Sequence, residues 1–274
     1  MSVAELRQPA RLTAREELVG ARRIVVKIGS SSLTDARGRL DQSRLDGVAE
    51  VAATLAARGT ELVIVSSGAI AAALGPLGLP ERPTSVPLQQ AAASVGQALL
   101  ATAWSRAFAV HERTTGQVLL TESDVIRPQT YRNVRSALEA LLELGTVPVV
   151  NENDTTATHE IRFGDNDRLG ALVAQLIEAD ALVLLSDIES LYTKPPSDPG
   201  AEPIDVVAPD ADLSGLEFGA TVVNSVGTGG AATKVSAARL AAASGIGVLV
   251  TSADLVDQAL AGADIGTWFE PATS

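Results

Sequence analysis

Five short apolar runs recur along the chain. They are rich in valine, isoleucine and leucine and lie at residues 24–28, 62–65, 147–150, 182–185 and 248–250. Apart from Lys27 in the first run, they are continuous rather than alternating with polar residues. Continuous runs of this length are typical of strands that are buried on both faces of a parallel sheet. We therefore predict a central, mainly parallel sheet.

The segments between these runs have helical character. They lie at residues 44–58, 87–111, 131–144, 166–178 and 231–243. The first ends before Gly59, a residue type that favours a helix C-terminus. Strands that alternate with helices predict an α/β fold, here a three-layer αβα sandwich with right-handed crossovers. The segment 193–209, rich in proline, aspartate and glycine, predicts a loop or a short hairpin.

Composition narrows the classes of partner and compartment. The chain of 274 residues has 33 acidic and 21 basic residues, and its net charge is -12. Such a charge disfavours nucleic acids and anionic membranes as partners. The sequence contains no cysteine, which excludes disulfides and thiolate chemistry, and its polar N-terminus lacks a secretory signal pattern. We therefore expect a cytoplasmic protein.

Small or polar residues follow four of the five predicted strands. The segments are Gly29-Ser30-Ser31-Ser32, Ser66-Ser67-Gly68-Ala69, Asn151-Glu152-Asn153-Asp154 and Ser186-Asp187. Ligands of open α/β sheets bind beyond the carboxyl ends of the strands. We therefore predict a substrate cleft at this edge, and ordinary solvated turns are the alternative interpretation.

Two lysines are candidates for binding phosphate. Lys27 lies in an apolar strand beside the amides of Gly29 and Ser30, where it either extends to solvent or meets phosphate oxygens. Lys234 ends a glycine-rich segment, 227–234, that opens a predicted helix. Helix N-termini attract anions, although a flexible linker is the alternative for such a segment.

Acidic residues precede the predicted helix at 166–178. Helix capping explains Asp165, whereas Asn166 and Asp167 would project from the first turn. Asp167 could then hold two lysines in place around a transferring phosphoryl group. A carboxylate acceptor is already anionic and needs no general base, which is consistent with a sequence that has only two histidines.

Together these segments resemble the amino acid kinase family. The matching residues are 25–31, 64–71, 148–154, 163–167, 185–187 and 227–234, in family order. Residues 151–154 and 164–167 resemble the branch of the family that acts on glutamate. The resemblance implies a carbamate kinase-like fold and ATP-dependent phosphorylation of the side chain of L-glutamate, at the start of proline biosynthesis. It also implies Mg²⁺, a homo-oligomer (dimer or tetramer) and feedback inhibition by proline.

The resemblance also implies roles for individual residues. Lys27, Lys234 and Asp167 would be catalytic, and Ser67, Asp154 and Asn166 would bind glutamate. The ATP-binding residues would be Lys27, Ser186, Asp187, Thr228, Gly229, Gly230, Ala231, Ala232, Thr233 and Lys234. Magnesium would bridge the nucleotide phosphates without a direct protein ligand. Residues 1–20 would form an extension, and 21–270 a single domain with a glutamate-binding half (21–180) and an ATP-binding half (181–270).

Some features depart from the family pattern. Many bacterial members continue into a C-terminal PUA domain, and we expect its absence because this chain stops at Ser274. Ala231 replaces a common methionine, and residues 188–190 differ from the usual nucleotide-site run. Two alternatives stay open at this point. One is a sibling kinase for N-acetylglutamate, aspartate or UMP, and the other is a non-catalytic regulator on the same fold.

Overall fold

A central eight-stranded sheet organises the part of the protein that the computed structural model describes, residues 9–157, 166–213 and 230–273. The strands are β1 Arg23–Ile28, β2 Glu61–Ser66, β3 Thr115–Leu120, β4 Val147–Glu152, β5 Ala181–Ser186, β6 Val206–Val207, β7 Gly247–Ser252 and β8 Thr267–Phe269. Their order is β3-β4-β2-β1-β5-β7-β8-β6. Only β8 and β6, which are parallel to each other, run opposite to the rest. The predicted mainly parallel sheet is confirmed.

The five predicted strands are β1, β2, β4, β5 and β7, and each is almost wholly buried. Sequence patterns did not predict β3, β6 and β8. β3 lies at an edge of the sheet and is only partly buried, so its sequence Thr-Gly-Gln-Val-Leu-Leu lacks a continuous apolar run. β6 and β8 have two and three residues, too few to form a pattern. Before β6, a bridge between Tyr192 and Pro203 forms the predicted short hairpin.

Eight α-helices connect these strands within the described residues. They are α1 Gln42–Ala57, α2 Ala69–Leu74, α3 Val86–Ala109, α4 Glu122–Ile126, α5 Pro128–Glu143, α6 Asn166–Leu176, α7 Ala231–Ala242 and α8 Val256–Leu260. The five predicted helices correspond to α1, α3, α5, α6 and α7. Gly59 follows α1 with a φ of +90°, the left-handed conformation that ends many helices. The short helices α2, α4 and α8 were not predicted.

The two faces of the sheet have separate cores. Successive side chains of a strand point to opposite faces. In β1, Ile24, Val26 and Ile28 therefore pack with residues of α1, α3 and α8. Val25 packs on the other face with residues of α5, α6 and α7. This arrangement confirms the three-layer αβα sandwich, and it places Lys27, two residues after Val25, on the α6 and α7 face.

The strand order creates a crevice next to β1. From β1, the sheet continues through β2, β4 and β3 on one side and through β5, β7, β8 and β6 on the other. Ligands of open α/β sheets bind at such a switch point, beyond the carboxyl ends of the strands. Strands that precede residue 157 occupy one side of this point, and later strands occupy the other.

A glycine sets the close approach of α2 to α3. A Cβ at Gly96 would lie 1.7 Å from the carbonyl oxygen of Ala69, at the start of α2. Any larger residue at position 96 would push the two helices apart. At Gly47 of α1, by contrast, a Cβ would meet nothing within 4 Å. Gly96 therefore fixes the position of α2 and of the turn at Ser67 and Gly68 that precedes it.

Residues 9–20 pack against the body of the protein. Leu12 and Leu18 belong to the core on the α1 face. The buried carboxylate of Asp180 accepts hydrogen bonds from the backbone amides of Ala10, Arg22 and Arg23. These contacts bind the segment before β1 to the residue before β5. In the described part of the chain, no helix is both long enough and apolar enough to span a membrane.

Candidate active site

Three buried charged side chains meet at the switch point of the sheet. The Nζ atom of Lys27 lies 2.5 Å from Oδ1 of Asp167, and Nζ of Lys234 lies 3.7 Å from Oδ2 of the same carboxylate. Lys27 is on β1, Asp167 in the first turn of α6 and Lys234 in the first turn of α7. The structure therefore brings the three predicted catalytic residues together, with Asp167 between the two lysines.

The sequence around each residue explains this convergence. Lys27 points to the α6 and α7 face because of strand alternation. Gly170 of α6 lets the helix approach the stem of this lysine, since a Cβ there would lie 3.3 Å from Cβ of Lys27. Asp167 stands near the positive end of the α6 dipole, where a carboxylate is stabilised. The hydroxyl of Thr233 donates to Oδ2 of Asp167 at 2.8 Å and so ties α7 to α6.

The cluster keeps Asp167 ionised. Burial by itself raises the pKa of Asp167, but the charges of Lys27 and Lys234 and hydrogen bonds from Lys27 and Thr233 lower it to about 2. Burial lowers the pKa of Lys234, and Asp167 opposes that change. Two ammonium groups thus share one buried carboxylate, which leaves these three buried side chains with one positive charge in excess. An anion at this position would complete the charge balance.

The start of α7 lies directly beside the cluster. Gly230 is the N-cap residue of α7, and its amide donates to the hydroxyl of Thr233 at 3.1 Å. Ala231 and Ala232 form the first turn, where helix amides and the dipole attract anions. Thr228 and Gly229, which belong to the same predicted ATP-binding segment, lie outside the described residues.

The end of β5 contributes two predicted ATP-binding residues. Ser186 is buried, and its hydroxyl accepts from the amide of Ile188 at 3.1 Å, which closes a tight turn. Asp187 is exposed, and its charge opposes the lowering of the pKa of Lys234 that burial causes. Ser186 therefore shapes the turn, whereas the charge of Asp187 acts on Lys234 of α7.

A hydrogen-bond network connects the ends of β2 and β4 to α6. The side-chain nitrogen Nδ2 of Asn166 donates to the hydroxyl of Ser67 at 2.9 Å and to Oδ1 of Asn151 at 3.0 Å. Asn151 in turn donates to Oε1 of Gln97 at 2.7 Å. Oδ1 of Asn166 is buried and has no hydrogen-bond partner among the described residues. A ligand that carries N–H donors would satisfy this oxygen.

Sequence reasoning missed two members of this network. Asn151 stood in a strand-end motif, but its part in orienting Asn166 depends on contacts between distant segments. Gln97 lies within α3 and has no local signal that distinguishes it from a surface residue. Both fix the side chain of Asn166 and leave its Oδ1 available.

Asp154 lies in the turn after β4, next to a cation that the sequence did not reveal. Burial raises the pKa of Asp154 to about 6, and the charge of Arg82 acts in the opposite direction. Burial also lowers the pKa of Arg82, and Asp154 opposes that change. Arg82 belongs to the connection between α2 and α3. Its proximity to Asp154 follows from the position of α2, so no motif could have predicted it.

The described residues contain no group of three or more His, Cys, Asp or Glu side chains that could hold a metal ion. The carboxylate at the centre of the cluster, Asp167, is engaged by Lys27, Lys234 and Thr233. Because Asp167 is engaged in this way, the site suits a divalent cation that arrives bound to phosphates better than one held directly by Asp167.

Comparison with known proteins identifies a family pattern over most of the chain. The model of the amino acid kinase family matches residues 22–252. This range includes β1 and the first turns of α6 and α7, so it covers all three residues of the charged cluster.

Curated relatives are similar over nearly the whole chain. A glutamate 5-kinase of Salinispora arenicola is 56% identical over 94% of this chain and 70% of its own length. One of Streptomyces coelicolor is 54% identical over 93% of this chain and 68% of its own length. A third, from Clavibacter sepedonicus, is 52% identical over 94% of this chain and 98% of its own length.

Solved structures share the fold at low sequence identity. A carbamate kinase from Giardia lamblia bound to AMP-PNP has a TM-score of 0.65 and 13% identity, over 92% of this chain and 99% of its own. A UMP kinase from Bacillus anthracis has a TM-score of 0.59 and 14% identity, over 92% and 97%. These similarities confirm the predicted carbamate kinase-like fold and carry no information about the acceptor.

Proposed function

The chain belongs to the amino acid kinase family, and from this premise we propose that it transfers the γ-phosphoryl group of ATP to the side-chain carboxylate of L-glutamate. The product is L-glutamyl 5-phosphate, the first intermediate of proline biosynthesis. The observation that carries the proposal is the buried Lys27–Asp167–Lys234 cluster at the switch point of the sheet. The acceptor is supported by relatives named glutamate 5-kinase at 56%, 54% and 52% identity, which disfavours the sibling acceptors and the non-catalytic regulator.

The geometry accounts for the chemistry without a general base. A side-chain carboxylate oxygen of glutamate attacks the γ-phosphorus, and the bond to the β,γ-bridging oxygen breaks as ADP leaves. The attacking oxygen is already anionic, so no proton has to be removed. Lys27 and Lys234 provide positive charge for the phosphoryl oxygens, where charge is spread in the transition state. Asp167 holds both lysines in position and stays ionised throughout.

The two halves of the sheet divide the substrates in this proposal. Glutamate binds on the side of β2 and β4, where Ser67, Asp154 and Asn166 recognise its α-substituents. The buried Oδ1 of Asn166 accepts from the ammonium group. ATP binds on the side of β5 and α7, and its phosphates meet the amides of residues 230–232 at the helix N-terminus. Thr228 and Gly229 belong to this ATP site by family resemblance alone.

Magnesium is part of the proposal as a partner of ATP. When bound, it neutralises phosphate charge and leaves the γ-phosphorus open to attack. We assign it no direct protein ligand, because Asp167 is committed to the lysines and Mg²⁺ retains water and phosphate ligands readily. The charge of Lys27 and Lys234 would add to that of the cation in stabilising the phosphate oxygens.

Three further expectations accompany the activity. A cytoplasmic location suits an enzyme that consumes ATP and glutamate. Proline carries the same α-carboxylate and ammonium as glutamate, so it would compete for the same subsite as a feedback inhibitor.

Helix α3 exposes three apolar side chains, Leu88, Val95 and Leu99, and such a patch supports a homo-oligomer, a dimer or tetramer. Light scattering would measure the molar mass in solution, and the mass of a single chain would contradict the expected oligomer.

Trapping of the acyl phosphate tests the function directly. The protein is incubated with ATP, Mg²⁺ and hydroxylamine and with glutamate, aspartate or N-acetylglutamate in turn. We expect hydroxamate with glutamate and little with the other acids. A product with another acid alone would replace the acceptor. No product with any acid, together with measured ATP binding, would contradict the assignment as an enzyme.

The raised pKa of Asp154 predicts a pH dependence of glutamate binding. The ionised carboxylate attracts the substrate ammonium, and Asp154 loses its charge as the pH falls through about 6. The KM for glutamate should therefore rise below pH 6, by about tenfold for each unit of pH once protonation dominates. Above pH 7 it should be flat. Steady-state kinetics from pH 5 to 8 would check this, and a flat KM in wild type, or the same rise in Asp154→Asn, would contradict it.

A further inference from the structure

Gln97 lies on the side of α3 that faces the ends of β2 and β4. Its Oε1 atom accepts a hydrogen bond from Nδ2 of Asn151, near the end of β4, at 2.7 Å. Further along α3, Nε1 of the buried Trp104 donates to Oγ of Ser66, the last residue of β2, at 2.9 Å. Helix α3 therefore forms polar contacts with both strand ends that border the proposed glutamate subsite.

The backbone fixes the orientation of the Asn151 amide. Oδ1 of Asn151 accepts from the backbone N–H of Glu152 at 2.9 Å. Only the oxygen of a side-chain amide can accept from an N–H group, so Nδ2 of Asn151 is directed to Gln97 instead. Asn151 is 2% exposed, and a buried amide nitrogen without an acceptor is costly. Oε1 of Gln97 therefore stabilises Asn151 in this one orientation.

Asn151 in turn orients Asn166. Nδ2 of Asn166 donates to Oδ1 of Asn151 at 3.0 Å and to the hydroxyl of Ser67 at 2.9 Å. Because these two contacts engage Nδ2, the other end of the amide, Oδ1, stays buried without a hydrogen-bond partner among the described residues. Asn166 directly precedes Asp167, whose carboxylate contacts Lys27. The available oxygen thus belongs to a residue adjacent to the charged cluster.

The orientation of the Asn166 amide decides which ligand group it can bind. In the observed orientation its oxygen is available to accept from an ammonium group. The reversed amide would present N–H donors instead, which cannot bind an ammonium. Reversal would also bring Oδ1 of Asn166 against Oδ1 of Asn151, and two acceptors form no hydrogen bond. Asn151 therefore prevents the reversal as long as its own orientation is held.

We propose that Gln97 is a positioning residue for glutamate recognition, which holds Asn151 so that Oδ1 of Asn166 is presented to the substrate ammonium. The inference rests on the proposed function, since it concerns the glutamate subsite of that function. Gln97 acts through Asn151 and Asn166, and the ammonium takes no part in the chemical step. Loss of Gln97 should therefore raise the KM for glutamate and leave kcat almost unchanged.

The test compares three variants of Gln97 with wild type by steady-state kinetics at saturating ATP. Gln97→Met removes the acceptor oxygen, and Gln97→Asn is one methylene too short to keep the 2.7 Å contact. We expect each to raise the KM for glutamate about fivefold or more, with kcat within about twofold, because a buried hydrogen bond is lost. Gln97→Glu keeps an acceptor oxygen, so its KM should stay within about twofold of wild type.

Gln258→Met is the matched control, at an exposed glutamine of α8, and should change KM less than about twofold. An unchanged KM in Gln97→Met and Gln97→Asn would overturn the proposal. So would a fall in kcat alone, or a KM in Gln97→Glu that rises as far as in Gln97→Met.

Glutarate separates recognition of the ammonium from general support of the subsite. This compound is glutamate without its amino group, so it offers no donor to Oδ1 of Asn166. Its inhibition constant against glutamate should therefore agree within about twofold between wild type and Gln97→Met. An equal rise for glutarate and glutamate would mean that Gln97 only stabilises the subsite, which would overturn the proposal. Failure of the proposed function is seen separately, because wild type would then form no glutamyl hydroxamate.

Discussion

Replacement of Lys234 by alanine is expected to lower kcat by about 100-fold or more, which corresponds to about 2.7 kcal/mol of transition-state stabilisation. Lys234 is buried beside Asp167, at the N-terminus of α7. In the transition state, charge is spread over the oxygens of the transferring phosphoryl group, where this ammonium would stabilise it, so the loss should fall on kcat more than on the KM for glutamate. Steady-state kinetics at saturating ATP, with both substrates varied, measures the effect.

Lys194→Ala is the matched control for this variant. The sequence has three lysines, Lys27, Lys194 and Lys234, and Lys194 lies in the hairpin between β5 and β6. Its removal should leave kcat within about twofold. Lys27 still neutralises Asp167 in Lys234→Ala, so the variant should fold, which circular dichroism would verify. A folded Lys234→Ala protein with normal kcat would remove this lysine from the mechanism.

Asp167→Asn is expected to destabilise the protein by about 3 kcal/mol or more and to abolish most activity. Removal of one partner from a buried ion pair leaves an uncompensated charge, which costs far more than the loss of an exposed pair. Here two ammonium groups would lose their common carboxylate, and Asp167 has 1% of its side chain exposed. Denaturant unfolding at pH 7 without nucleotide would measure the free energy.

The sign of the pH effect follows from the lowered pKa of Asp167. Its value is about 2 in the folded protein and 3.8 in the unfolded reference. The stabilisation from the ionised group is therefore complete above pH 4 and lost as the pH falls toward 2.

The control for Asp167→Asn is Asp46→Asn, at an exposed residue of α1, which should change stability by less than about 0.5 kcal/mol. Equal stability of Asp167→Asn and wild type would contradict the proposed role of the cluster.

Local patterns predicted the elements whose burial is uniform. β1, β2, β4, β5 and β7 are covered on both faces, so their sequences are continuous apolar runs. β3 lies at the edge of the sheet and carries Gly116 and Gln117, so it lacks the continuous apolar run that predicts a buried strand. The short helix α2 was missed because six residues contain less than two full turns of periodicity.

The predicted site was incomplete for a related reason. Lys27, Asp167 and Lys234 stood in motifs, so each was a candidate before any fold was known. Gln97 and Arg82 lie in a helix and a connection without distinctive composition. Their roles depend on how α3 and α2 pack against the turns after β4 and β2, which involves contacts between residues far apart in the chain.

The amino-acid sequence by itself determined the strand and helix segments, the excess of acidic charge and the small polar residues at the strand ends, because each depends on neighbouring residues only. It also placed Lys27 within a strand. The tertiary structure decided the strand order, which puts the switch point beside β1, and it brought the first turns of α6 and α7 to the side of β1 that Lys27 faces. The physical reason is that a strand pattern records burial but not which strand is its neighbour. Only packing across the sheet determines that two lysines share one aspartate.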